Sequence, residues 1–238
     1  MPTRRIRLWD LPVRLAHWGF ALLVPALWGS AELGRMDIHK LLGLILLGLV
    51  VFRLLWGIYG SETARFARFI KGPHAVLAHL RGRDADLGAG VAGHNPAGGW
   101  SVVALLGVMG AQAAIGLFTS DVDGVASGPL NHLVSYETGE WLREVHEAGF
   151  NLLLALVALH VAAIGFYAVV KKDRLVPPMV TGAKDVPVGV SPPRMAPVWQ
   201  ALPAMVLAAA FAWWLGMGAP QSLAQLTAPP PPSAEDYM

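Results

Sequence analysis

Residues 145–170 read VHEAGFNLLLALVALHVAAIGFYAVV, and the two histidines in that stretch decide how the chain is built. His146 and His160 stand 14 positions apart. At about 1.5 Å of rise per residue a helix sets them about 21 Å apart along its axis. Fourteen steps of about 100° end about 40° short of four full turns, so both imidazoles leave the helix from nearly one face. Two aligned imidazoles at two depths of one apolar helix fit two stacked haems, each taking one axial ligand from it. The expectation is a transmembrane electron conduit, and the rest of the chain must supply two more ligands.

Composition agrees with a membrane protein. The chain has 238 residues, 55% of them hydrophobic and 14% charged, with a mean hydropathy of +0.50. Soluble chains carry roughly 25% charged residues. There is no cysteine. That excludes disulfides, thiolate ligation, iron–sulfur clusters and haem attached covalently through a Cys-x-x-Cys-His motif. A bound haem must be b-type.

Five apolar stretches reach membrane-spanning length: 15–31, 38–59, 100–118, 145–170 and 198–217. The basic start of the chain resembles a signal peptide, but no cleavage site follows the first stretch, so it reads as an uncleaved helix. The fifth contains Pro203 and is the most dispensable to the chemistry. Trp28, Trp56, Tyr59, Trp100, Trp199, Trp213 and Trp214 lie near the ends of stretches, as interfacial aromatics do. A long basic loop, 60–99, is expected to carry a short surface helix near 73–81, and 119–144 reads as a polar, acidic loop. The proline-rich tail, 227–238, is expected to be extended.

Charge orients the spans. With the N-terminus inside, fifteen of the 18 Lys and Arg residues fall on the inner side, and only Arg35, Lys40 and Arg143 fall outside. Ten of the 16 acids lie outside. The inner balance is +9 and the outer −7, which together make the chain's +2.

That topology sorts the histidines by depth. His39 opens the second span at its outer end and His146 lies at the outer end of the fourth. His17 lies near the inner end of the first, level with His160. Depth therefore pairs His39 with His146 on an outer haem and His17 with His160 on an inner one. A lone histidine in a span more often satisfies a buried carbonyl; four of them, two per depth, reverse that preference. Arg53 follows His39 by 14 residues and so shares its face at inner depth. A haem propionate is its natural partner, against the alternative that it snorkels to the inner headgroups. Gly43 and Gly149 stand beside ligands, where they admit a flat porphyrin or simply pack helices closely. His74, His79, His94 and His132 fall in loops, where surface exposure is the default.

These residues resemble the prokaryotic cytochrome b561 family, a di-haem group related to the cytochrome b subunits of nickel hydrogenases. The resemblance is carried by Trp9-Asp10-Leu11-Pro12-x-Arg14-x-x-His17-Trp18, by His39-x-x-x-Gly43, and by Glu144-Val145-His146-Glu147 through Leu159-His160. Phe52-Arg53-Leu54-Leu55-Trp56-Gly57 and Gly93-His94-Asn95-Pro96-x-Gly98-Gly99-Trp100 belong to it too. It covers roughly residues 6–184 and implies His17, His39, His146 and His160 as axial ligands of two haem b groups. The implied fold is an all-α, integral membrane four-helix bundle, here with a fifth transmembrane helix. The expected divisions are 1–184 for the di-haem domain, 185–217 for a linker and the extra helix, and 218–238 for a periplasmic tail. His94, at the inner mouth of the third span, is a candidate for propionate binding or quinone protonation, against a plain Asn-Pro turn before a helix.

The implied setting is the bacterial inner membrane, with the N-terminus cytoplasmic and, after five spans, the C-terminus periplasmic. The favoured function is electron transfer between the quinone pool (ubiquinone or its quinol) and a periplasmic c-type cytochrome or other redox subunit. An acidic outer face suits a basic cytochrome edge. The first alternative is a superoxide:quinone oxidoreductase, whose anionic substrate would meet ten outer acids. The second is a membrane anchor for a hydrogenase- or dehydrogenase-type complex. Nothing points to nucleic acid.

Overall fold

The chain is described from a computed structural model over residues 2–82 and 93–218. The elements run β1 (Thr3–Arg7), α1 (Leu11–Glu32), α2 (Met36–Tyr59), α3 (Phe66–Phe69), α4 (Pro73–Leu80), α5 (Pro96–Gly116), α6 (Tyr136–Val169), α7 (Val176–Thr181), β2 (Ala183–Pro187) and α8 (Ala201–Gly216). Helices α1, α2, α5, α6 and the stretch Val198–Gly216 are each long and apolar enough to cross a membrane. The surface helix expected near 73–81 is α4. The tail beyond residue 218 lies outside the described residues.

Helix α2 is the strut of the bundle: α1, α5 and α8 all pack along it, and α6 is held by α5. The α8 contact follows from sequence. Ala201, Ala204, Ala208 and Ala212 recur at three- and four-residue spacing, and all four are buried. A Cβ placed on Gly48 of α2 would stand 3.4 Å from the Ala212 methyl. Without a hydrophobic drive between helices in lipid, such small-residue faces are what let two backbones approach. Pro203 falls in the first turn of α8, where its missing N–H has no intrahelical partner to lose.

Helix α6 departs from expectation at its start. It begins at Tyr136, nine residues before the apolar stretch at 145, and takes up part of what reads as an acidic loop. Ser135 caps it by accepting from the Thr138 N–H. Its first turns carry Glu137, Glu140, Arg143 and Glu144, so the helix projects beyond its apolar band, and hydropathy registers only the band. The opposite end of the bundle holds a small antiparallel sheet that the all-α pattern did not include. There β1 pairs with β2 from positions about 180 apart in the chain, Arg5 opposite Asp185 and Ile6 opposite Lys184.

That sheet closes a buried polar knot. Gly182 offers its carbonyl to the N–H groups of Leu8 (2.8 Å) and Trp9 (3.1 Å). Thr63 donates to the Leu8 carbonyl at 2.8 Å. Asp10 caps α1 by accepting from the Val13 N–H at 2.7 Å, and its other oxygen accepts the Trp56 indole N–H at 3.0 Å. Trp56 is therefore no interfacial aromatic: it is 0% exposed. One carboxylate ties the start of α1 to the end of α2. Asp10→Ala removes a cap and orphans a buried indole N–H, and should destabilise the protein by about 2–4 kcal/mol. Thermal unfolding in detergent reads this directly, with Asp10→Asn intermediate.

Candidate haem-binding site

The four intramembrane histidines meet in two pairs, each with one ring on α6. At the acidic end His39 of α2 faces His146 with ring centroids 6.1 Å apart. At the sheet end His17 of α1 faces His160 at 6.3 Å. Between the two levels lies Leu153, seven residues from each α6 histidine and 4% exposed. It packs with Leu46 and Val50 of α2 and Leu106 and Met109 of α5. Helix α6 rests along α5 but makes no comparable backbone approach to α1 or α2. The rings thus face each other across a gap between helices that stand apart.

At the acidic end the ring chemistry is fixed by carbonyls. His39 Nδ1 lies 3.0 Å from the Leu27 carbonyl, with Ser30 Oγ at 3.5 Å. His146 Nδ1 lies 3.0 Å from the Gln112 carbonyl. A carbonyl only accepts, so each Nδ1 carries a proton and Nε2 is the nitrogen left to serve as a ligand. Gln112 holds His146 twice, because its side-chain amide also donates to the His146 carbonyl at 2.8 Å. Gly149 makes room for that amide: a Cβ there would stand 2.5 Å from Gln112 Oε1. Gly149 therefore serves Gln112, whereas a Cβ on Gly43 would meet nothing within 4 Å. Gly116 lies beside the ring itself: a Cβ there would stand 3.2 Å from His146 Cε1.

The sheet end is less satisfied. Among the described residues, His17 Nδ1, Arg53 Nη1 and His94 Nδ1 are buried with no hydrogen-bond partner. Arg53 does not snorkel; it is 4% exposed, with its guanidinium carbon 4.9 Å from the centre of the Phe66 ring. The His94 ring lies between Trp9 at 4.7 Å and Phe69 at 4.5 Å. Burial pushes His94 down to about 3, with Arg53 adding to the effect, so it stays neutral. Its neighbour Asn95 does cap α5, accepting from the Gly98 N–H at 2.7 Å. The Asn-Pro turn is thus present, together with a buried imidazole.

Two imidazoles that bind one metal from opposite sides, each at about 2.0–2.1 Å, would have ring centroids roughly 6–6.5 Å apart. Both pairs meet that spacing. Among the described residues no three His, Asp or Glu side chains converge. Two donors per site suit an iron whose other ligands come from a macrocycle, not a bare ion needing four protein donors. The residues fit a haem at each level.

The family model for prokaryotic cytochrome b561 matches residues 8–182. The chain belongs to the prokaryotic cytochrome b561 family. Members are helical membrane proteins that carry b-type haem and transfer electrons across the bilayer. The match includes all four histidines, Arg53 and His94, and leaves α8 outside. No curated protein and no solved structure matches the chain.

Sequence reading missed Gln112 and Ser30. Gln112 is 7% exposed within an apolar helix, and a buried amide there is itself a signal that something needs its hydrogen bonds. Gly149→Val should expel the Gln112 amide from its niche and cost about 1–3 kcal/mol, read as a lowered unfolding temperature in detergent, with Gly149→Ala milder.

Proposed function

We propose that the protein passes electrons through two b-type haems between the quinone pool and a periplasmic c-type cytochrome or comparable redox partner. His39 and His146 would hold the haem at the acidic end, and His17 and His160 the one at the sheet end. The observation that carries the reading is the pair of facing rings at 6.1 and 6.3 Å, one pair at each of two depths. When bound, haem supplies one-electron ferric/ferrous exchange. The protein supplies position. Leu27 and Gln112 orient two of the four imidazoles, Leu153 keeps the two levels apart, and Arg53 offers a buried cation where an inner propionate would lie.

The charge distribution supports an orientation with the sheet end cytoplasmic and the acidic end periplasmic. An acidic periplasmic face favours a basic protein partner and disfavours an anion such as superoxide. Association with such a partner should weaken as ionic strength rises.

The test is haem content by pyridine haemochrome, with reduced-minus-oxidised spectra. The purified protein should contain two b haems per chain. His39→Ala should lose the acidic-end haem and His160→Ala the sheet-end haem, each keeping about one (one axial ligand removed per site). If either variant kept both haems, the assignment of ligands would be wrong.

A further inference from the structure

The Tyr167 hydroxyl ties three helices together at the sheet end. It accepts from the Asn95 side-chain amide at 2.7 Å and lies 2.7 Å from His79 Nε2. The last turn of α6 is thereby fixed against the end of α4 and the start of α5. Just beyond these contacts two segments of chain offer cations. Arg81 follows His79 by two residues, and Lys171, Lys172 and Arg174 follow the end of α6. All four are exposed. Several other cations at this end are already engaged: Arg14 donates to the Met179 and Val180 carbonyls, Arg65 to the Gly60 carbonyl and Arg4 to the Val190 carbonyl, and Arg68 pairs with Glu62. Asp173, the single acid in the run from Lys171 to Arg174, is taken by Lys184 at 2.7 Å. Arg81, Lys171, Lys172 and Arg174 make no ion pair or side-chain hydrogen bond among the described residues.

Backbone and apolar surface point the same way. Lys172 stands at φ 55°, the one non-glycine residue at positive φ among the described residues. Glycine or asparagine normally takes that conformation after a helix, because a Cβ crowds the backbone there. A lysine in its place costs stability, and an exposed side chain returns none of it through packing. Around the cations lie open apolar side chains. Leu77 and Leu80 of α4 are 45% and 69% exposed, and Val170, just past α6, is 61% exposed. Trp100 donates its indole N–H to the carbonyl of Lys71, just before α4, at 2.8 Å, as befits an aromatic at a membrane interface.

We propose that the corner between α4 and the end of α6 binds an anionic phospholipid, with Arg81, Lys171 and Lys172 on the headgroup phosphate and Leu77, Leu80 and Val170 against the acyl chains. Free phosphate would satisfy the cations and leave the leucines uncovered. A zwitterionic headgroup would bring a cation of its own into a cluster that already holds an excess. A lipid of net negative charge satisfies both surfaces at once. It would also hold α4 in the plane of the membrane surface, with its leucines inward. The site needs no haem and is independent of the di-haem reading.

The experiment is native mass spectrometry of the detergent-solubilised full chain, titrated with dioleoylphosphatidylglycerol, dioleoylphosphatidylcholine or inorganic phosphate. The anionic lipid should bind about tenfold more tightly than the zwitterionic one, and phosphate at equal concentration should not displace it. Arg81→Gln combined with Lys171→Gln should weaken the anionic lipid roughly fivefold for each cation removed. Lys172→Gly probes the site without endangering the fold, because glycine accepts φ 55° freely. Its unfolding temperature should hold or rise while the anionic lipid binds several-fold more weakly. Arg5→Gln combined with Arg7→Gln, at exposed positions of β1, should leave binding unchanged. Equal affinity for the two lipids, undiminished binding by Lys172→Gly, or an equal loss from the β1 pair would overturn the proposal. Displacement of the lipid by phosphate would overturn it too, by reducing the corner to a plain anion site.

Discussion

The structure turns on a separation. Helix α6 must stand off from α1 and α2 far enough for two imidazole pairs to face each other at 6.1 and 6.3 Å, yet its position must be fixed. Helix packing in a membrane normally closes such gaps, because close approach of backbones is what holds helices together there. Here α5 does the holding. It packs against α2 on one side and α6 on the other, and the reciprocal Gln112–His146 hydrogen bonds lock its register to α6. On the proposed reading, the histidine faces of α1 and α2 are thereby left to be bridged to α6 by the two haems.

That separation explains why α2 carries so much of the architecture. A helix with one face turned to a cofactor gap must find its packing elsewhere, and α2 finds it against α1, α5 and α8. The alanine stripe of α8 brings it against α2, and a Cβ on Gly216 would stand 2.6 Å from Leu44. The family match ends before α8, but the helix is fastened into the bundle. The segment leading into it is tied to the sheet end as well: Arg194 and Ala196 donate their N–H groups to Glu62 and Ser61, and Tyr59 donates to the Gln200 carbonyl.

How much of this was legible depended on the kind of signal each residue carries. His146 and His160 could be read because helical period and an apolar setting are both local, and Lys and Arg bias then supplied depth for His17 and His39. Arg53 could be located by the same arithmetic, but whether it snorkelled depended on Phe66, in a separate short helix. Gln112 was silent because an uncharged amide leaves no charge or period pattern, and its partner lies 34 residues away. The β1–β2 pair was silent because two five-residue strands carry little periodicity and their register joins positions about 180 apart. Trp56 was misread as interfacial because its nearness to a helix end is local, whereas the Asp10 carboxylate that captures it is not.

Among the described residues, the sheet end holds three buried polar atoms without partners, on His17, Arg53 and His94, while other polar groups there are well matched. Buried orphans are rare in native structures and cost about 1–3 kcal/mol each, more where the group is charged. Their neighbours are not loosely arranged: the Asp10–Trp56 bond and the Gly182 carbonyl fix the surrounding backbone. On the proposed reading, a bound haem brings an iron for the His17–His160 pair and carboxylates for the cation, so part of its binding free energy is relief of a penalty already present in the chain. The same cation would then bias that haem toward its reduced state. Cofactor retention and redox poise at the sheet end would therefore share one physical cause, the burial of Arg53.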